Sequence, residues 1–210
     1  MTDSNHPVPR SSPRSSASPP LAITESHRVL HEYFYDVLTL INENAPQDQV
    51  LCKIAHSICQ FEQVRGAAIF QHEVSKKLMH VLLDVRTAHD EAAHKNLSLP
   101  VDWLCPDPAV CSEVSDHAPS GDQPGTWVIS LPAVYAQKAA SLPESLNQDA
   151  LAQFCKTDKL ALVTPFFANH QMCGVLIMFF QPTYVLNAED SALAKAFAKQ
   201  IETVMNNAGM

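Results

Sequence analysis

The run LALVTPFFANHQMCGVLIMFF, residues 160–180, restricts the possible folds more than any other part of the chain. Leu160 to Phe167 and Met172 to Phe180 read as two almost uninterrupted apolar strands, separated only by the turn Ala168-Asn169-His170-Gln171. So short a turn brings the chain back antiparallel to itself, because parallel neighbours need a crossover of about a dozen residues. A strand with one wet face alternates apolar and polar side chains, whereas a continuous apolar run predicts burial on both faces. The rest of the chain therefore has to cover both sides of an antiparallel sheet.

Helical patterns supply that cover. Order is predicted to begin near Thr24, with Thr24 or Ser26 capping a first helix. In it Leu30, Phe34, Val37, Leu38 and Ile41 fall on one face, leaving Tyr33 and Leu40 as a second strip for a partner. Asn44 and Gln47 have capping-box spacing ahead of a second helix with the stripe Leu51, Ile54, Ala55 and Ile58. Strands are predicted over Gly66 to Gln71 and Leu78 to Val85, joined by a polar turn from His72 to Lys77. The middle reads as a short strand at Asn96 to Leu99, a helical turn within Pro100 to Val114, and a Pro/Gly/Asp/Ser loop at Asp116 to Gly125. A strand at Thr126 to Leu131 and a helix at Gln148 to Thr157 follow. Asn187 and Asp190 mark the start of a closing helix with the stripe Leu193, Phe197, Ile201 and Val204, ended by Asn206-Asn207-Ala208-Gly209. This order predicts an α+β domain: an antiparallel sheet of about six strands, with the N- and C-terminal helices packed together on one face.

Composition removes several functions. Residues 1–20 are Pro, Ser, Arg and Asn with almost no apolar content, which predicts a disordered tail ahead of one domain at 21–210. A formal charge of −8 with only 14 Lys and Arg leaves no basic surface for a phosphate backbone, so nucleic acid is not an expected partner. No apolar run approaches the roughly 20 residues of a membrane span, and the N-terminus has no apolar leader segment. Six cysteines without such a leader predict reduced thiols in a cytoplasmic protein. No two of the five glycines frame a phosphate loop, and no G-x-S-x-G elbow is present.

Three segments carry a family resemblance. They are the helix QVLCKIAHSICQ running into RGAAIFQ; the hairpin above, with Pro165 in its first strand and Gly174 opening its second; and NAEDSALAKAFAKQIETVMNNA. In order and spacing, from Thr24 to Ala208, they resemble the GAF family of small-molecule sensing domains. The resemblance implies a sensory or regulatory domain with an unidentified small-molecule ligand, acting through homodimerisation by its terminal helices or on a partner signalling protein. The turn Asn169-His170-Gln171 stands where the family often has glycine. The NKFDE-like motif of cyclic-nucleotide binders and the Cys-His or Asp-Xaa-Cys-Phe signatures of bilin attachment are missing, so no ligand or cofactor is carried over. Two alternatives remain. One is a GAF-type free methionine sulfoxide reductase using Cys105 and Cys111, although that family's tryptophan- and glycine-rich pocket motifs have no counterpart here. The other is an interaction scaffold with a degenerate pocket. An enzyme is not the first expectation.

The candidate ligand site falls in the middle segment. Asp102-Trp103-Leu104-Cys105, followed by Cys111, Glu113, Asp116 and His117, concentrates thiol and titratable groups where a GAF-like fold would cover the sheet. Cys105, Cys111 and His117 are spaced six apart, which is poor for a zinc knuckle; because some GAF domains bind iron and others use cysteine chemistry, the resemblance implies a mononuclear iron or redox thiol site as an option here. Trp103, Trp127, Tyr135 and Phe154 are candidate pocket walls, and Arg86 is a candidate anchor for an anionic ligand. Cys105 and Cys111 are expected to be the most accessible thiols, with Cys52, Cys59, Cys155 and Cys173 in core positions. His27 and His31, four apart, share a face of the first helix; His89 and His94 read as exposed loop residues.

Overall fold

The computed structural model describes residues 25–86, 97–105, 126–143, 145–155, 160–168 and 171–207. Six strands form one sheet: β1 Val64–Glu73, β2 Leu78–Arg86, β3 Ser98–Pro100, β4 Trp127–Ser130, β5 Leu160–Ala168 and β6 Gln171–Phe180. Their spatial order is β3-β2-β1-β6-β5-β4, and every neighbouring pair is antiparallel. The apolar hairpin occupies the middle, with β6 between β1 and β5. Its side chains alternate between two cores, as the two-residue period of a strand requires. Leu162, Phe166, Leu176, Met178 and Phe180 enter one. Ala161, Val163, Val175, Ile177 and Phe179 enter the other. Each large side chain so buried contributes about 1.5–3 kcal/mol, and this double burial makes the hairpin the backbone of the fold.

The first core lies under three helices: α1 Glu25–Asn42, α2 Gln47–Ile58 and the closing helix Ala188–Asn207. The expected α2 stripe is buried throughout. Phe197 on the closing helix receives the edges of Phe34 and Phe61 at 5.6 and 6.0 Å. Asn187 Oδ1 accepts from the Glu189 and Asp190 amides, and Asp190 accepts from the Asn187 amide. This reciprocal cap confirms the helix start read from the sequence.

Two expectations for α1 need correction. Leu38 is 52% exposed, whereas Tyr33 meets Phe61 edge-on and Leu40 packs on the core. The buried centre of the helix is Val37, whose i±3, i±4 and i−7 neighbours are Leu30, Tyr33, Phe34, Leu40 and Ile41. Leu38 sits about 100° around the axis from Val37 and so turns outward. Asn44 does not cap α2. It adopts a left-handed conformation at φ 54°, with Asn44 N–H on Ile41 O and Ala45 N–H on Leu40 O, closing α1 as a Schellman turn. Pro46 precedes α2 with no side-chain cap.

The second core, on the opposite sheet face, is covered by short helices: α3 Val101–Leu104, α4 Leu131–Lys138 and α5 Gln148–Cys155. With these three in place, the closing helix is α6. Helix α4 had no counterpart among the predicted elements: the strand expected to reach Leu131 stops at Ser130, and Pro132 in the first helical turn favours the new direction. An α+β domain with six antiparallel strands and its terminal helices on one face is the architecture that the element order predicts. No described helix is long and apolar enough to cross a membrane.

Candidate functional site

Five of the eight candidate residues meet in the second layer. The Trp103 ring on α3 is 3% exposed and lies edge-on to Tyr135 of α4 at 6.0 Å. Trp127, opening β4, donates its indole N–H to Leu104 O at 2.7 Å and so ties the α3 end to the sheet edge. Lys138 completes the link between α4 and α3 through Asp102, donating to its carbonyl and carboxylate at 2.7 Å. Phe154 on α5 is fully buried between Phe70 and Phe179, at 5.6 and 5.9 Å. Cys105 follows α3 and is 2% exposed. Face-to-edge aromatic contacts in a buried layer are worth about 0.5–1.5 kcal/mol each beyond area, so these rings stabilise the cover of the sheet.

Cys105 overturns two expectations. It is disulfide-bonded, whereas Cys52, Cys59, Cys155 and Cys173 are thiols. It is also buried, while Cys52, Cys59 and Cys173 are half-buried, so the expected order of thiol accessibility is reversed. Cysteine count and composition carry no information on whether two sulfurs meet in the fold. Burial pushes the Cys173 thiol up, partly opposed by a backbone hydrogen bond at Ala168, and the Glu202 charge adds to the rise. Cys111, His117 and the Asp116 to Gly125 loop lie outside the described residues, as do His89 and His94. Arg86 ends β2, its backbone opposite Gly66 of β1. His31 is exposed on α1. Among the described residues, no group of three or more His, Cys, Asp and Glu is arranged to hold a metal.

Two polar arrangements escaped the sequence reading. On the β1–β2–β3 edge, His80 links Ser98 Oγ at 2.7 Å through Nδ1 to Glu73 Oε2 at 2.6 Å through Nε2. Lys76, and after it His80, hold the Glu73 carboxyl below its ordinary value. These groups come from three strands, so only pairing register brings them together. The other lies in a groove of about 810 Å³ between α1 and α2, where Cys52 Sγ stands 3.3 Å from His56 Nδ1. Its four-residue helical spacing was readable in QVLCKIAHSICQ.

No protein-family model matches the sequence, and no curated protein matches it either. Solved structures do. A methyl-accepting chemotaxis protein fragment (residues 122 to 287) superposes with a TM-score of 0.52 at 16% identity, covering 83% of this chain and 96% of that one. The phycoerythrobilin-bound GAF domain of a cyanobacterial phytochrome gives 0.57 at 10% identity, covering 84% and 94%. The GAF domain of an Acinetobacter phosphoenolpyruvate-protein phosphotransferase gives 0.53 at 14% identity, covering 86% and 94%. With the six-stranded antiparallel sheet and its terminal helices on one face, these likenesses give the chain the fold of a GAF domain.

Proposed function

We propose that this chain is a regulatory module of the sensory GAF type. A small-molecule signal is taken up in the layer of α3, α4 and α5 and passed through the sheet to α1, α2 and α6. There it alters contact with a second copy of the chain or with a partner signalling protein. The observation that carries the reading is the convergence of Trp103, Cys105, Trp127, Tyr135 and Phe154 in one apolar layer, on the sheet face opposite the helices. Ligand sites are mostly apolar with few polar anchors, and this layer is built from short helices that can shift against a rigid sheet. Output through the helices is supported by Tyr35, 73% exposed on the α1–α2 groove, and by Leu38, 52% exposed on α1. Arg86, Cys111 and His117 remain proposed members of the site.

Native mass spectrometry of the purified chain tests both halves, because it reports a non-covalent adduct and the oligomeric state together. Sedimentation of wild type against Tyr35→Glu/Leu38→Glu then locates the association. The expected result is a reversible dimer that the double variant loses while staying folded. A chain that is monomeric at all concentrations and carries no adduct overturns the reading.

One observation favours a second reading, thiol chemistry of the methionine sulfoxide reductase kind. The Cys105 disulfide is the state in which such an enzyme rests once two thiols have lost two electrons and two protons and the sulfoxide oxygen has left as water. Turnover of free methionine sulfoxide with a dithiol reductant, lost in Cys105→Ser, would establish it. No turnover removes it.

A further inference from the structure

Glu73, His80 and Ser98 stand in the order carboxylate, imidazole, hydroxyl, which is the working arrangement of a nucleophilic serine. Strand register builds it. His80 is the direct cross-strand partner of Ser98 on one side and of Gln71 on the other, and Glu73 lies two residues beyond Gln71 on the same face. The Glu73 carboxylate can only accept, so His80 donates its Nε2–H to Oε2 at 2.6 Å. Nδ1 then keeps its lone pair towards the Ser98 hydroxyl, 2.7 Å away. The carboxylate is itself held in place, because Lys76 pairs with Oε1 at 2.9 Å and Ser75 donates to it at 3.3 Å. The His80 and Glu73 side chains are 37% and 34% exposed, open to a substrate.

Two features around the serine suit acyl transfer. Val81 N–H meets Leu97 O at 3.0 Å, which makes the next pair, His80 and Ser98, a non-hydrogen-bonded one. The Ser98 amide therefore points away from β2, to the outer side of the outermost described strand, and a nucleophile's own amide is a usual donor to an acyl oxyanion. Beside this row, at Gln71, opens a cleft of about 390 Å³ walled by Leu51, Leu82, Leu83 and Met205. Those walls suit a short apolar chain, and Asp48 in the same cleft disfavours an anionic one. We propose that Ser98 is the nucleophile of an esterase site, with His80 as general base and Glu73 as the positioning residue, acting on esters with a short apolar acyl chain. Ser98 Oγ bonds to the acyl carbon while its proton passes to His80 Nδ1; the ester C–O bond breaks and the alcohol leaves with that proton. Water then attacks the acyl-serine by the same route, releasing the acid and restoring Ser98. The site lies on the α2 side of the sheet, opposite the layer of α3, α4 and α5, and its activity is independent of the sensory role.

The test uses the full chain with p-nitrophenyl acetate and p-nitrophenyl butyrate and, separately, with an alkyl fluorophosphonate followed by intact-mass and peptide mass spectrometry. A phosphonyl adduct on Ser98 is expected. Its position is read on the unaltered chain, so the folding of a variant does not decide it. Ser98→Ala, which removes a single oxygen, should keep the wild-type circular dichroism and lose both the adduct and the turnover. His80→Gln should lower kcat about a hundredfold or more. Glu73→Gln should lower kcat with KM unchanged, which a general loosening of the strand pair would not do. Leu82→Trp, at a 40% exposed position in the cleft wall, should raise KM for the butyrate several-fold and leave that for the acetate unchanged. No adduct on Ser98, or turnover that survives Ser98→Ala, overturns the proposal. Equal effects of Leu82→Trp on the two esters refute the cleft as the acyl site.

Discussion

Gly174→Ala is expected to be among the most destabilising single-atom additions in this protein. Gly174 lies in β6 between Phe166 of β5 and Gln71 of β1. A Cβ there would stand 1.9 Å from Phe70 O and 2.5 Å from Phe166 Cζ, where real Cβ atoms essentially never come within 3.0 Å. The two clashes have different remedies. The Phe166 ring can be shortened by mutation, but Phe70 O belongs to the backbone of a central strand and must retreat by more than 1 Å. That movement strains the β1–β6 ladder, in which each lost hydrogen bond costs about 1 kcal/mol. Overpacking elsewhere costs about 1–3 kcal/mol. The sum points to about 3 kcal/mol or more, a hundredfold shift in the unfolding equilibrium. In urea denaturation followed by circular dichroism, the midpoint should fall by about 1 M or more with the slope unchanged. Phe166→Leu/Gly174→Ala should recover little relative to Phe166→Leu, because the carbonyl clash persists. The reasoning is refuted if Gly174→Ala lies within about 0.5 kcal/mol of wild type, or if Phe166→Leu rescues it.

Three further outcomes follow from buried or paired groups. Glu202, 6% exposed, accepts from the Phe167 amide at 3.1 Å where the β5–β6 register shifts, and from Lys199. Glu202→Ala should cost about 1–3 kcal/mol by orphaning that amide, and Glu202→Gln distinctly less, read by thermal and urea unfolding. Because the folded-state value of Glu73 is depressed, its pairing favours the fold above the ordinary carboxylate range and is lost as pH falls through the depressed value. Carbon-detected NMR titration should therefore show Glu73 protonating below the ordinary glutamate value, and Lys76→Ala should bring it back towards that value. Native alkylation without reductant should label Cys52 well before Cys155, and Cys105 only after reduction; early labelling of Cys105 would contradict its disulfide and its burial.

Local chemistry was enough for the elements whose signals lie within a dozen residues. The hairpin from Leu160 to Phe180 announced itself by two apolar runs and a short turn, and the Asn187/Asp190 cap by a pattern that the fold uses as written. The α2 stripe and the six-strand count were legible for the same reason: period and turn residues act over one or two turns of chain. What the tertiary structure decided is everything that depends on which surface meets which. Leu38 and Leu40 are equally apolar, and only the position of α2 and α6 around Val37 buries one and exposes the other. Ser130-Leu131-Pro132 allows extended or helical chain, and packing on the second core turned it into α4. The Glu73–His80–Ser98 chain exists through strand register. Trp103, Trp127, Tyr135 and Phe154 were chosen as apolar groups near a variable segment. Their assembly into one layer required the sheet to carry α3, β4, α4 and α5 to the same face, a consequence of long-range pairing that no window of the sequence contains.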